Sequence, residues 1–213
     1  MKRPSSPISL IAPLMPSAPI VVDAGAADGA DSIRYAEAWP RAIVHAFEPF
    51  PANLDALRRR ALAEPAAGDR IVVHPVALGA ERAEAATFYP SVQGAGKPWP
   101  WSGSLMAPGE HRAAYPWVSF GEPITVPVVR LDDEIGAADF LHIDVQGAEI
   151  ALLQGARRVL EGVRAIWIEV AISPLYEGQP ARVEVAAFLE AAGFVIRAQY
   201  TDDVDGDELW IRR

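Results

Sequence analysis

Ile20-Val21-Val22-Asp23-Ala24-Gly25-Ala26-Ala27-Asp28-Gly29 is an apolar run that ends in an acid and then breaks into small residues. Its β-prone half predicts a buried strand. Gly25 and Gly29 predict a tight turn behind it, where the backbone can approach a bound molecule with no Cβ in the way. Ordinary strand-to-helix connections use the same residues, so the stretch alone points to a nucleotide-type site without settling it.

Outward from this strand the hydrophobic period alternates between strand and helix. Asp31 to Trp39 reads as a short helix stopped by Pro40, and Ile43 to Glu48 as a second strand. Pro49 and Pro51 open a helix in which Leu54, Leu57 and Ala61 recur at helical spacing. Ile71 to Leu78 is a third strand, with Pro75 marking a bend or an edge. Later, Ile124 to Arg130 is extended and leads to Leu131-Asp132-Asp133, and Phe140 to Val145 is a fourth main strand. A helix follows, with Ile150, Leu153, Ala156 and Leu160 on one face. Ala165 to Val170 is a fifth strand, and Val185, Phe188, Leu189 and Ala192 mark a helix ending at Gly193. Phe194 to Tyr200 and Glu208 to Arg213, joined by a polar turn at Asp202 to Asp207, predict an antiparallel hairpin at the sheet edge. The alternation specifies an α/β fold, a doubly wound and mostly parallel sheet covered by helices.

Two segments depart from this rhythm. Residues 1–19 hold Lys2 and Arg3 ahead of a mildly apolar stretch, but Pro4, Pro7, Pro13, Pro16 and Pro19 interrupt any continuous helix, so an irregular N-terminal arm is expected rather than a secretory signal. Residues 92–122 interrupt an otherwise single domain spanning 20–213. They are rich in Gly, Pro and Trp, and Trp99, Trp101 and Trp117 argue against plain disorder, so a lid or substrate wall is expected there.

Composition bounds the function. At 213 residues the chain can bury a substantial core, and 51% hydrophobic with 22% charged residues is the profile of a globular protein. A net charge of −9 and a pI near 4.9 disfavour nucleic acid as a partner, since binding phosphate backbones needs clustered cations. With no cysteine there is no disulfide, thiolate metal site or cysteine nucleophile, and a cytoplasmic location is the lean. No run approaches the roughly 18 apolar residues that span a bilayer. Oligomeric state is not readable.

Chemistry is expected where the loops converge, at the carboxyl ends of the parallel strands. One cluster is Asp23, Gly25, Gly29 and Glu48, with Glu48 placed to accept hydrogen bonds from ribose hydroxyls. The dinucleotide spacing G-x-G-x-x-G is absent, and Asp28 puts a negative charge near where phosphates would sit. An acidic turn suits instead a ligand with an ammonium group, a ribose and no phosphate, which describes S-adenosylmethionine. No G-x-x-x-x-G-K-[ST] run occurs either.

The chain resembles the FkbM family of S-adenosylmethionine-dependent methyltransferases from Val21 to its end. The resemblance rests on Val21 to Gly29, on Phe47-Glu48-Pro49, on Val128 to Asp133, and above all on Phe140-Leu141-His142-Ile143-Asp144-Val145-Gln146-Gly147-Ala148-Glu149 with Leu153-Gln154-Gly155-Ala156. It implies a Rossmann-like class I methyltransferase fold and methyl transfer from S-adenosylmethionine, usually to a hydroxyl on a glycan, glycolipid or natural product. It also implies cofactor contacts at Asp23, Gly25, Ala26, Asp28, Gly29, Glu48, Pro49, Ala77 and Asp144, with Val76 and Leu78 near the adenine. The family most often has Lys where this chain has His142, and Glu where it has Gln146.

A second cluster holds His142, Asp144, Gln146, Glu149 and Glu169. Strand periodicity puts His142 and Asp144 on one side, where either can serve as base or orient the acceptor hydroxyl. Trp99, Trp101, Ser104, Glu169 and Tyr176 are candidates for the acceptor wall. A divalent metal on Asp144, Glu169 and His142 is an option that their spacing does not favour. A non-catalytic cofactor-binding module and, less favoured, an NAD-dependent oxidoreductase are the alternatives.

Overall fold

The computed structural model describes residues 6–93, 97–99 and 101–213, with Lys97 and Pro98 described in backbone only. The first five residues of the arm and, within the 92–122 insertion, residues 94–96 and Pro100 lie outside the described residues.

In chain order the strands are β1 (Ile20–Ala24), β2 (Ile43–Phe47), β3 (Ile71–His74), β4 (Ala77–Leu78), β5 (Ala83–Phe88), β6 (Ser91–Gln93), β7 (Lys97–Pro98), β8 (Val118–Phe120), β9 (Ile124–Val129), β10 (Phe140–Ile143), β11 (Ala165–Ala171), β12 (Phe194–Thr201) and β13 (Asp205–Arg212). The helices are α1 (Ile8–Ile11), α2 (Ala30–Ala38), α3 (Pro51–Ala63), α4 (Pro65–Gly68), α5 (His111–Ala114), α6 (Leu131–Glu134), α7 (Glu149–Gly155), α8 (Arg157–Leu160) and α9 (Arg182–Ala191).

A seven-stranded sheet in the order β12-β13-β11-β10-β1-β2-β3 forms the centre. β1, β2, β3, β10 and β11 pair in parallel, and β13 and β12 add antiparallel at the edge. The continuous apolar runs follow from burial on both faces. Side-chain alternation sends Val21, Val44, Phe140 and Trp167 to one core with Tyr35 of α2. Val22, Leu141, Ile143 and Ile166 go to the other, against Leu152 of α7 and Leu189 of α9. Each such side chain contributes about 1.5–3 kcal/mol on full burial.

Four departures from the sequence expectations have physical causes. The third strand is two. Pro75 has no N–H to give a ladder, so β3 stops at His74 as the sheet edge, and β4 leaves to pair with β9 in a separate three-stranded sheet, β4-β9-β5. The helix expected to run through Ile150 and Leu160 is also two. Asp132 of α6 accepts hydrogen bonds from the N–H groups of Arg158 (3.1 Å) and Val159 (2.9 Å), capping a fresh start at α8. The hairpin turn is shorter than expected, because Asp205 to Asp207 are already strand, with Asp207 paired to Glu169. In the arm expected to be irregular, α1 forms one helical turn, and Ile11 is fully buried beside Val21.

The 92–122 segment is built largely on β6, β7 and β8, which form a third small sheet, with α5 between β7 and β8. No described helix is long and apolar enough to cross a membrane.

Candidate active site

β1 and β10 are neighbours whose chain continuations diverge, β1 toward β2 and β10 toward β11, so the loops at their carboxyl ends part and leave a crevice. Gly25 sits at its floor with φ +82°, and a Cβ there would lie 1.8 Å from the Asp144 carbonyl oxygen. The glycine is therefore required because the two loops touch backbone to backbone. The N–H groups of Gly25 and Ala26 both donate to the Phe47 carbonyl (3.0 Å each), which ties the turn to β2 as well. Gly29, at φ +79°, opens α2 and faces Leu57 of α3 rather than the crevice.

The cleft above this turn encloses about 850 Å³, part of it open to solvent, a size suited to a cofactor. Its acids are Asp23, Asp28, Asp31, Glu48 and Asp144, and its basic lining residue among the described residues is His142. Among the described lining residues, nothing else could cradle a phosphate by charge.

Glu48 is buried and directly follows β2. It accepts hydrogen bonds from the N–H groups of Ala27 (2.9 Å) and Phe50 (2.7 Å) and from the Asn53 side chain. Burial pushes its carboxyl up to about 7, against the pull of those three donors. Asp23, 1% exposed, is fixed by Ser32 Oγ at 2.5 Å and by His142 Nδ1 at 2.9 Å. For His142, burial opposes the charge, but the hydrogen bond and the negative charge of Asp23 outweigh it, with Asp31 and Asp144 adding, and its pKa is raised to about 9. At neutral pH it is an imidazolium paired with Asp23. Asp28 accepts from the Ala30 N–H (3.2 Å) at the start of α2 and forms an ion pair with Arg60, so its charge is compensated within the protein.

Beyond β10 the chain turns through Gln146, which adopts a left-handed φ of +52°. Its Nε2 donates to Asp144 Oδ1 (2.6 Å) and to Glu169, and its Oε1 accepts from the Tyr176 hydroxyl (2.7 Å). Burial raises the Glu169 carboxyl well above its usual range, and the charges of Asp144 and Asp205 raise it further. Glu149, also buried, is pushed up to about 7 by burial and accepts from the Gly147 N–H (2.8 Å), holding the turn.

Among known sequences, the Methyltransferase FkbM domain matches residues 23–196. The chain belongs to the FkbM methyltransferase family. It is an S-adenosylmethionine-dependent methyltransferase, as the resemblance implied. An FkbM relative in Sinorhizobium fredii (strain NBRC 101917 / NGR234), 2-O-methyltransferase NoeI, is 36% identical over 198 residues, covering 90% of this chain and 78% of its own length. Methyltransferase sdnD of Sordaria araneosa is 27% identical over 220 residues, covering 89% and 80%. Among solved structures, the methyltransferase FkbM from Methylobacillus flagellatus KT superposes with a TM-score of 0.62 at 18% identity, over 99% of this chain and 48% of its own. This chain thus spans about half the length of that structure. The magnesium protoporphyrin IX methyltransferase ChlM of Synechocystis PCC 6803, solved with bound SAM, gives 0.56 at 14% identity, over 97% and 74%. These likenesses bear out the Rossmann-like α/β fold.

Of the residues singled out from sequence, the FkbM cleft gathers Asp23, Gly25, Ala26, Asp28, Glu48, Pro49, Ala77, His142 and Asp144, together with Trp101. Gly29 is not on its lining. Trp99 and Glu169 line an adjoining chamber instead. Ser104 and Tyr176 line neither space. Ser104 Oγ donates to the Gln146 carbonyl (2.6 Å), and Tyr176, 2% exposed, holds the Gln146 side chain and donates to the Ser102 carbonyl (3.0 Å). Their place is behind the wall. Asn53, Phe88 and Leu105 line the cleft and were not anticipated. Asn53 was within reach, as a polar residue in the first turn of the helix behind Glu48. Phe88 and Leu105 arrive from the second sheet and the insertion, which carry no local signal. Among the described residues, no group of three or more His, Asp or Glu side chains is arranged to hold a metal ion.

Proposed function

We propose that the protein methylates a hydroxyl oxygen on a glycan, glycolipid or natural product. One observation carries the cofactor side of this reading. The cleft at the strand switch point is lined by five carboxylates, and its basic lining residue, His142, is already paired with Asp23. Such a lining fits a cationic, phosphate-free cofactor and opposes a dinucleotide. The donor set fits S-adenosylmethionine in detail: Glu48 for the ribose hydroxyls, Ala77 with Val76 and Leu78 for an apolar adenine edge, and the Gly25 turn for the methionine portion. When bound, that cofactor supplies an electrophilic methyl group on a sulfonium.

The protein's part is to position the acceptor and to take its proton. Asp144 faces the cleft, and the Gln146 amide holds its carboxylate in place. It is the group best placed to accept the hydroxyl proton as the new C–O bond forms. His142, being protonated at neutral pH, is not the base. Its part is to fix Asp23 and to supply the positive charge for which the family most often uses Lys. The 92–122 segment, with Trp99 and Trp101, would wall the acceptor, and a cytoplasmic setting goes with the whole. In support, one relative is named a 2-O-methyltransferase.

Calorimetry with S-adenosylhomocysteine and NAD tests the cofactor assignment. The first should bind and the second should not, and binding of NAD alone would overturn it. Methyl transfer from labelled S-adenosylmethionine to a panel of glycosides and macrolides tests the catalytic half. Tight cofactor binding with no turnover on any acceptor would favour a non-catalytic module.

A further inference from the structure

Beside the cofactor cleft lies a second chamber of about 580 Å³, part of it open to solvent. Trp101 and Gln146 belong to the walls of both spaces, so the chamber is where an acceptor can sit and still reach the cleft. Its aromatic surface is unusual. Trp101 and Trp117 are 51% and 56% exposed, yet each is braced edge-on by a neighbour. Trp99 meets Trp101 at 4.6 Å between ring centroids, and Tyr115 meets Trp117 at 5.5 Å. Braced, exposed indoles are preformed faces for a ligand rather than collapsed core.

The polar part of the wall has one sign. It carries Asp205 and Glu169, the second biased by burial and by the charges of Asp144 and Asp205 toward its protonated form until a cation arrives, and no Lys or Arg lines it among the described residues. Asp205 accepts a hydrogen bond from the Tyr115 hydroxyl and Glu169 one from Gln146, so both are held in place by neutral donors. Asp144 and Asp207 add to the negative field at Glu169. His111 completes the wall at 1% exposure. Burial lowers its pKa, which leaves it neutral, and its Nδ1 has no hydrogen-bond partner among the described residues.

We propose that this chamber selects an acceptor carrying a protonated amine beside its hydroxyls, as an amino sugar does. The ammonium would be held over the Trp101 and Trp117 faces and between Glu169 and Asp205. Ammonium groups gain from both an aromatic face and a nearby carboxylate, whereas a uronate or phosphate ester meets repulsion from the same wall. The proposal rests on the O-methyltransferase reading above and adds the charge of the acceptor to it.

The test measures binding of four methyl glycosides to the full chain saturated with S-adenosylhomocysteine, by tryptophan fluorescence: glucosaminide, N-acetylglucosaminide, glucoside and glucuronide. The glucosaminide should bind at least tenfold more tightly than its N-acetyl and neutral counterparts, and the glucuronide should not bind. In Asp205→Asn and in Glu169→Gln, each checked for an unchanged circular dichroism spectrum, the preference for the amine should fall to within about threefold. Equal binding of amine and N-acetyl forms, an amine preference that survives both variants, or no binding of any of the four overturns the proposal. Where either variant misfolds, the wild-type salt dependence decides: amine binding should weaken between 20 and 500 mM salt while glucoside binding holds, and the opposite pattern refutes it. Failure to bind S-adenosylhomocysteine, by contrast, refutes the cofactor assignment.

Discussion

Raising the pH should remove the charge on His142 and with it the ion pair that neutralises Asp23. The ordinary imidazole value of 6.5 rises to about 9 in the folded protein, because the gain from Asp23 exceeds the cost of burial. At roughly 1.4 kcal/mol per pH unit, that difference corresponds to about 3 kcal/mol of folding stability. The folded state binds the proton more tightly than the unfolded one. The contribution is therefore fully present below pH 6.5 and lost as the pH rises through 9. For a chain of this size, 3 kcal/mol amounts to roughly 6–12 °C in Tm. The perturbation is a pair of proteins, wild type and His142→Gln, melted by scanning calorimetry without cofactor from pH 6 to pH 10. The variant should be less stable at pH 6, since Asp23 is left as a buried charge with its 2.5 Å bond to Ser32 as its main support. The two melting curves should then converge as the pH approaches 10. Other titrating groups are shared and cancel in the difference. Parallel curves across the whole range would mean that His142 is neutral in the folded protein, and the base role would return to it.

Glu48→Ala should weaken S-adenosylhomocysteine binding by roughly ten- to a hundredfold in calorimetry, the worth of one charged hydrogen-bonding partner. Because burial holds the Glu48 carboxyl near 7, the wild-type affinity should also fall about tenfold from pH 8 to pH 6, and Glu48→Gln should flatten that dependence. Asp144→Ala should cut kcat by roughly a hundred- to ten-thousandfold in a labelled-methyl assay, with S-adenosylhomocysteine affinity changed less than that of Glu48→Ala. If both variants altered affinity alone, the division of labour between the two carboxylates would be wrong. Gly25→Ala should destabilise by more than about 3 kcal/mol in urea titration, since its Cβ has no room beside the Asp144 carbonyl, and a loss under 1 kcal/mol would contradict the close approach of the two loops.

What the sequence made legible divides along physical lines. β1, β2, β10 and β11 were readable because strands buried on both faces are continuous apolar runs. The break at Ala156 was not readable, because its cause, the carboxylate of Asp132, lies 26 residues from Arg158. Inside the insertion, strands of two or three residues are defined by partners far along the chain, as when Ser91 pairs with Phe120. Tyr176 shows the limit at the site itself. Its place after β11 suggested a surface for the acceptor, but only the fold shows that its hydroxyl serves Gln146 and its ring is buried.

The same limit applies to charge, and it alters the meaning of the glycine turn. Read alone, Asp28 made the turn an acidic host for an ammonium group. In the fold Arg60 reaches across from α3 to pair with it, Asp23 is paired with His142, and Asp31 with Arg34. Glu48 is held near half-protonation at neutral pH by its burial. Asp144 then lines the cleft with no ion pair shown among the described residues, and its carboxylate meets the Gln146 amide and the Glu169 carboxyl. A cationic cofactor and an acceptor hydroxyl would both draw on it, from the two sides of the wall formed by Gln146. A cation bound beside Asp144 would offset the negative field that Asp144 and Asp205 place on Glu169, whose carboxyl burial already holds well above the usual range. The cofactor on one side and the acidic chamber on the other therefore meet at the hydrogen-bond chain Asp144–Gln146–Glu169. The family resemblance implies Glu where this chain has Gln146, and the neutral amide donates to both Asp144 and Glu169, which an ionised carboxylate in its place could not do.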